Sequence, residues 1–311
     1  MSELIKVSHL TKRFKDLTAV NDLSFTVHKG DVYGFLGQNG AGKSTSIRML
    51  LTLIEPTEGE IEVFGMNLKS NRKEILRQTG AVIERPDLYK YLTAYENLSL
   101  FAKMSGIKVN RKMLEDQLAL VGLIDRADSK VRTFSQGMKQ RLGIAVSLIH
   151  QPELLVLDEP TNGLDPHGIA DIRNLILHLS RETGKTIVVS SHLLSEIEMI
   201  ATRMLIIDKG KKVAEGSVSE LFDNSNILVQ LEVEDGLALS PALIQTQWHK
   251  NLREVKGNRF VFQMDKQLIP FLAQDLVKLG AGIISLQPRH SLEDYFLSLT
   301  TANQHVDSFT N

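Results

Sequence analysis

A lysine and a serine close a glycine-rich run, Gly37-Gln38-Asn39-Gly40-Ala41-Gly42-Lys43-Ser44-Thr45. The order glycine, four residues, glycine, lysine, serine is the pattern of a phosphate-binding loop. Glycines let the backbone curl until successive N–H groups face inward as an anion nest, at the positive end of a following helix. In such a loop the Lys43 ammonium reaches the β- and γ-phosphates of a nucleotide, and the Ser44 hydroxyl ligates Mg²⁺. The pattern carries this meaning only between a strand and a helix. Its flanks provide both: Val32-Tyr33-Gly34-Phe35-Leu36 reads as a buried strand, and Ile47, Met49, Leu50 and Leu51 continue as a helix.

Three further strand ends carry chemistry. Leu154-Leu155-Val156-Leu157 fits a central parallel strand and delivers Asp158 and Glu159 at its carboxyl end. A buried carboxylate pair is costly without a partner, which Mg²⁺ and a water between phosphate and protein would supply. Thr186–Ser191 reads as another buried strand, with His192 at its end. Ala81-Val82-Ile83 is a short strand ending at Glu84, since Pro86 biases Arg85 away from helix. The ends at Gly37, Glu84, Asp158 and His192 point to one edge of a parallel sheet, where α/β folds hold their ligands. Phe14, a lone aromatic in the polar turn Lys12–Asp16, reads by itself first as a partly exposed packing residue and only second as a platform on which an adenine ring stacks.

The surrounding elements follow from periodicity. Apolar and polar residues alternate over Leu4–Val27, as in strands of an antiparallel sheet. From Thr93 to Ile149 apolar residues recur at three- and four-residue steps, which predicts a helical insertion at about 93–150. Within it Ser135 resembles the N-cap of a helix running through Leu142, Ala145, Val146 and Ile149. Thr161–Pro166 is a turn into an amphipathic helix (Ile169–Leu179), and Met204–Asp208 with Lys211–Ala214 suggests a terminal hairpin. After Gly216 the pattern changes. A short helix and linker over 217–226 precede strand Ile227–Val233, helix Pro241–Trp248 and strands Leu252–Val255 and Arg259–Met264. Helix Gln267–Leu279, strand Gly282–Leu286 and a last helix, Leu292–Leu299, follow. The β-α-β-β-α-β order is the ferredoxin-like arrangement.

Composition narrows the class. A net charge of −1 over 311 residues gives no global basic field for nucleic acid. Zero cysteines exclude disulfides, thiolate metal sites and cysteine nucleophiles. No apolar run reaches the length of a membrane span and Met1–Lys6 lacks a secretory signal, so a membrane role has to come through a partner.

Taken in order, the phosphate loop, the Phe134-Ser135-Gln136-Gly137-Met138-Lys139-Gln140-Arg141 stretch, Leu154–Pro160 and Ser190-Ser191-His192 resemble the ATP-binding subunit of an ABC transporter over residues 1–216. The resemblance implies an α/β fold with a P-loop NTPase core, a mixed sheet, an antiparallel β subdomain and the helical insertion. A small α+β accessory domain, ferredoxin-like in order, would occupy 217–311. Carried over residue by residue, it makes Phe14 the adenine-stacking aromatic, and Gly37 to Thr45 the cradle for the phosphates and Mg²⁺. Asp158 holds Mg²⁺ through water, Glu159 polarises the attacking water, and His192 contacts the γ-phosphate and the water. Ser135 and Gly137 match the loop that closes over the nucleotide of a second subunit, and Asp165 would reach across the same interface. The implied cofactors are ATP and Mg²⁺. The implied partners are a second ATP-binding subunit and separate transmembrane permease subunits, at the cytoplasmic face of the cell membrane.

Two departures from the family pattern matter. The usual Leu-Ser-Gly-Gly-Gln loop has Phe134, Gln136 and Met138 here, although the Ser135 hydroxyl, Gly137 and the helix start survive. Glu84 replaces the usual glutamine, which contacts Mg²⁺ or the water and faces the membrane subunit. An ionised carboxylate binds Mg²⁺ more strongly but cannot donate as an amide does, so the resemblance gives Glu84 both a catalytic and a metal role. Glu84, the Ser135–Met138 loop and Ser291-Leu292-Glu293-Asp294-Tyr295-Phe296 together resemble a narrower group, the ATPases of bacterial type-2 exporters that include self-protection systems against bacitracin and lantibiotic peptides. Two other classes compete. A soluble ATPase acting on ribosomes or DNA predicts tandem ATP domains, a long coiled coil or a basic patch, none of which the sequence carries. A module that dimerises on ATP without hydrolysing it conflicts with the intact Asp158, Glu159 and His192.

Overall fold

Five apolar residues in a row cannot alternate between core and water, so Val32–Leu36 needs cover on both faces. It is wholly buried near the middle of a six-stranded sheet. The computed structural model describes residues 2–221 and 227–289, and the chain divides into two units, Met1–Val218 and Ser219–Asn311. In the first unit β1 (Glu3–Phe14) and β2 (Leu17–His28) form a long hairpin, followed by β3 (Val32–Leu36) and α1 (Lys43–Leu50). Strands β4 (Glu58–Val63) and β5 (Met66–Asn67) extend the hairpin into an antiparallel sheet ordered β2-β1-β4-β5. Helix α2 (Arg72–Arg77) leads to β6 (Thr79–Ile83), and the insertion then contributes α3 (Ala94–Met104), α4 (Arg111–Leu120) and α5 (Gln136–Leu148).

The main sheet is completed by β7 (Leu154–Asp158), α6 (Pro166–Arg181), β8 (Thr186–Ser191), α7 (Leu194–Ile200), β9 (Arg203–Asp208) and β10 (Lys211–Ser217). Its order is β10-β9-β3-β8-β7-β6. All neighbours run parallel except the edge strand β10. The register pairs Leu36 with Ser191 and Ile83 with Asp158, so the carboxyl ends of β3, β8, β7 and β6 finish level. This is the α/β P-loop architecture that the motif order implied. Phe25, Tyr33, Phe35, Ile47, Val156 and Leu205 belong to one core shared by the two sheets. A polar tie crosses the same seam: from β2, Thr26 N donates to Glu215 Oε1 of β10 at 3.2 Å and Ser24 O accepts from Lys212 Nζ of β10 at 2.8 Å, while within the main sheet Tyr33 Oη donates to Glu215 Oε1 at 2.8 Å. Burial, with the Glu215 charge second, pushes the Tyr33 hydroxyl well above the usual tyrosine range. The phenol therefore stays a donor.

A short helix, α8 (Val218–Leu221), follows β10. The second unit consists of β11 (Ile227–Val233), α9 (Gly236–Ile244), β12 (Leu252–Lys256), β13 (Arg259–Met264), α10 (Ile269–Lys278) and β14 (Ile283–Arg289). The sheet order β12-β13-β11-β14, antiparallel throughout, is the ferredoxin-like arrangement. Strand β11 buries every second residue against Phe260, Phe262, Leu272 and Leu276. Two elements differ from the periodicity. Helix α9 starts at Gly236 instead of Pro241, because Asp235 caps it by accepting from Ala238 N at 3.0 Å. Pro241, which favours a first turn, sits inside the helix, and Trp248 falls in a separate 3₁₀ turn, Gln247–Asn251. The expected helix Leu292–Leu299 lies outside the described residues.

Candidate functional site

Helix α1 begins at Lys43 directly after Gly42, whose φ of 106° is left-handed. A Cβ at Gly42 would stand 2.6 Å from the Ala19 carbonyl oxygen, so only glycine lets β2 pass this close to the loop. That approach brings the tip of the β1–β2 hairpin beside the phosphate loop. Phe14 is the last residue of β1 and pairs with Leu17, so the turn is shorter than the sequence suggested. Its ring is exposed, with Lys12 Nζ 5.0 Å from the centroid. Asn39 and Gly40 are exposed at the loop mouth, Gln38, Ser44 and Thr45 are half-buried, and Gly37, Ala41 and Gly42 are buried. Lys43 is 4 % exposed, and its ammonium donates to Gly37 O at 2.6 Å and to Gln38 O at 3.1 Å.

The same ammonium lies 3.0 Å from Glu159 Oε1, an ion pair without hydrogen-bond alignment. Glu159 Oε2 lies 2.7 Å from His192 Nδ1, so the carboxylate is held between a cation and an imidazole. Glu159 takes a left-handed φ of 50°, a costly conformation for a side-chain-bearing residue that recurs at functional sites. Asp158 is fully buried at the end of β7. The Ser190 hydroxyl joins both carboxylate positions: it donates to Asp158 Oδ1 at 2.6 Å and accepts from Glu159 N at 2.8 Å. Asp158 Oδ2 is buried and has no hydrogen-bond partner among the described residues. An orphaned carboxylate oxygen in this position suits a hard cation or a water held by one.

Glu84, at the end of β6, also has a left-handed φ, 55°. Its carboxylate pairs with Arg48 Nη2 at 2.5 Å, with the Glu84 side chain 61 % and the Arg48 side chain 42 % exposed. Among the described residues no three His, Asp or Glu side chains converge on one point, so Glu84 does not join Asp158 and Glu159 in a ready-made cage. Arg48 escaped the sequence reading; its signal was a cation one helical turn beyond Ser44. The loop after Glu84 rests on α5, since a Cβ at Gly143 would come within 2.4 Å of Pro86 Cβ. Replacing Glu84 with Gln should shift the Mg²⁺ concentration for half-maximal ATP hydrolysis by about two- to threefold, a small effect because the group is exposed and already paired. Superimposable Mg²⁺ titrations of the two proteins would contradict a metal role for Glu84.

Ser135 caps α5, its hydroxyl accepting from Met138 N at 3.2 Å, and is exposed. A Cβ on Gly137 would meet Gly168 Cα at 3.8 Å, so the starts of α5 and α6 lie side by side. Asp165 caps α6 by accepting from Gly168 N at 2.9 Å. Ser135, Gly137 and Asp165 thus share one surface. Among the described residues no direct hydrogen bond or ion pair joins them to Lys43, Asp158, Glu159 or His192. The chain therefore presents two clusters: a phosphate loop with its carboxylates, and a pair of helix starts facing outward.

The sequence profile of the ABC transporter family matches residues 20–162. The bacitracin transport ATP-binding protein BcrA of Bacillus licheniformis is 42% identical over 305 residues, covering 96% of this chain and 98% of that protein. This chain belongs to the ABC transporter ATP-binding family. The lantibiotic transport ATP-binding protein SrtF of Streptococcus pyogenes is 43% identical over 227 residues, 71% of this chain and 96% of that one. Among solved structures, cbiO1 of Clostridium perfringens, part of the ABC transporter complex cbiONQ, superposes with a TM-score of 0.65 at 26% identity, covering 71% of this chain and 91% of cbiO1. The ATP-binding cassette MJ0796, a dimer in a post-hydrolysis state with ADP and Pi, gives 0.62 at 26% identity over 69% of this chain and 99% of its own. As an ABC ATPase the chain binds and hydrolyses ATP. No helix among the described residues is long and apolar enough to cross a membrane.

Proposed function

We propose that this chain powers export of a peptide antibiotic or other amphiphile through separate membrane permease subunits, acting as a pair of ATP-binding subunits on the cytoplasmic face. The observation that carries the catalytic part is the Lys43–Glu159–His192 cluster at the mouth of the phosphate loop. Among the described residues Lys43 is paired there with Glu159, and the neighbouring Asp158 carboxylate has no ion-pair partner. A polyphosphate adds negative charge, so a divalent cation is required to balance the site. Ser44 and the unpartnered oxygen of Asp158 would hold Mg²⁺, which supplies charge neutralisation on the β- and γ-phosphates. Lys43 leaves Glu159 for the incoming phosphate. The freed Glu159 takes up the attacking water, and His192 fixes the carboxylate through Nδ1 and faces the γ-phosphate.

Phe14 serves as the stacking platform for the adenine ring. Phe14→Ala should weaken ATP binding about tenfold, measured by titration calorimetry with the Glu159→Gln protein, as expected for loss of one base stack. An unchanged affinity would return Phe14 to a packing role. Ser135, Gly137 and Asp165 close over the nucleotide of a second copy in a head-to-tail dimer. The resemblance to bacitracin and lantibiotic transport subunits supports the substrate class, and no feature argues for nucleic acid.

Permease docking falls on the loop from Glu84 to Leu98. Buried Asn97 pins that loop by accepting from Tyr89 N at 2.8 Å and donating to Tyr89 O at 3.1 Å. It leaves Tyr89 and Tyr91 51% and 81% exposed as amphipathic anchors for a short permease helix. The test is affinity purification of the tagged chain from membranes of its native host. Co-purification of a multi-span membrane protein that is lost on Tyr91→Glu is the expected result; recovery of the chain with ribosomes or DNA would overturn the reading.

A further inference from the structure

The turn bearing Asp165 follows Glu159 in the chain, with Asn162 N donating to Glu159 O at 3.1 Å, and a second link, through a residue that neither the motifs nor the mechanism uses, joins it to the strand end carrying His192. Glu196, in α7, accepts through one oxygen from two hydroxyls. Thr161 Oγ1 donates to Glu196 Oε2 at 2.7 Å, and Ser191 Oγ donates to the same atom at 2.9 Å. Thr161 opens the turn that ends at Asp165, and Ser191 immediately precedes His192. Ser191 Oγ also accepts from Leu193 N at 3.0 Å, so the hydroxyl holds both sides of His192 in place. Packing alone does not fix the turn. Pro160 and Thr161 border a cavity of about 260 Å³ that Glu196 and Met199 also line, so the turn has room to shift where its hydrogen bonds are lost. Charge-assisted bonds to an ionised acceptor are the stronger kind, and here two converge on one atom.

We propose that Glu196 is a positioning residue that ties the turn 160–165 to the strand end carrying His192. The arm directed at a second copy's nucleotide and the group facing this copy's own γ-phosphate are thereby set together. This rests on the roles given above to His192 and Asp165. Beside the direct continuation of the turn from Glu159, it makes Glu196 the route by which dimer closure reaches His192. Ser190 supplies the parallel tie on the other side, joining β8 to Asp158 and Glu159. The two successive serines at the end of β8 thus distribute one strand end to the metal-binding carboxylate, the water-binding carboxylate and the turn.

The experiment compares the full-length chain with Glu196→Ala, Thr161→Val and Thr161→Ser. Steady-state ATP hydrolysis is measured across ATP concentration, and amide hydrogen exchange by mass spectrometry. Glu196→Ala and the isosteric Thr161→Val should each lower kcat about tenfold with KM changed less than about twofold, the signature of misplacement without lost binding. Thr161→Ser keeps the hydroxyl and should restore most of the rate, which a purely structural contact of the threonine methyl would not do. Exchange should quicken in Glu196→Ala both at 160–165 and at 192–194. Unchanged kcat and exchange in Glu196→Ala, or equal losses in Thr161→Ser and Thr161→Val, would overturn the proposal. If Glu196→Ala does not fold, the threonine pair decides. A wild-type chain without ATPase activity would count against the proposed function, and the exchange data would still decide whether Glu196 ties the two segments.

Discussion

Glu159→Gln lowers ATP turnover by about 10²–10⁴-fold, the range for loss of a positioned general base, and leaves ATP binding intact or tighter. Both halves of that expectation come from the geometry. The carboxylate touches both Lys43 and His192, at 3.0 Å and 2.7 Å. An amide in its place cannot take a proton from water. It also carries no charge, so the Lys43 ammonium is released toward phosphate instead of being shared. Phosphate release assays give kcat, and titration calorimetry with ATP gives affinity. Turnover within a factor of ten of wild type would remove Glu159 from the chemistry and leave it as a partner of Lys43 alone.

Lys43→Ala carries the second large effect, in binding more than in chemistry. A charge-assisted contact to phosphate worth about 3 kcal/mol corresponds to a loss of affinity of about 100-fold. The substitution also acts on the fold. Lys43 is buried, and its removal leaves Gly37 O, Gln38 O and the Glu159 carboxylate without their cation. Breaking a buried pair by removing one partner costs about 3–5 kcal/mol, and less here because His192 still faces Glu159. The two effects separate in a double mutant. Adding Glu159→Gln to Lys43→Ala removes the stranded charge, so urea stability should recover while ATP affinity stays low. Recovery of affinity together with stability would show that Lys43 supports the loop without touching phosphate.

Some of this site was legible in the residues and some was not, for a physical reason. The phosphate loop could be read because nest, lysine and hydroxyl lie on consecutive residues, and backbone geometry alone brings them together. Asp158, His192 and Glu84 were legible as ends of apolar runs, and parallel register then placed those ends level. Ties between distant side chains have no such local signature. Arg48 and Glu84 are 36 residues apart, and Thr161 and Glu196 are 35 apart. Only folding reveals that each pair meets. Buried hydroxyls were the available clue: Ser190 and Ser191 end a strand that is otherwise Thr186-Ile187-Val188-Val189, and both are buried. In the second unit the Asp235 cap outweighed the turn preference of Pro241, a case where one side-chain hydrogen bond set the helix start. Glu84 changed most. The resemblance implied a carboxylate at the Mg²⁺ or the attacking water, and the fold pairs it with Arg48, which reduces the charge it can offer to a metal.

In the proposed dimer one chain holds half of a working site, with Ser135, Gly137 and Asp165 serving the nucleotide of a second copy. Sedimentation velocity of the Glu159→Gln protein, with and without ATP and Mg²⁺, tests it most directly. The expected result is the mass of one chain without nucleotide and twice that mass with ATP and Mg²⁺, with two nucleotides bound per dimer and the dimer lost on Ser135→Arg. A species that binds ATP at saturation and keeps the mass of one chain would contradict it.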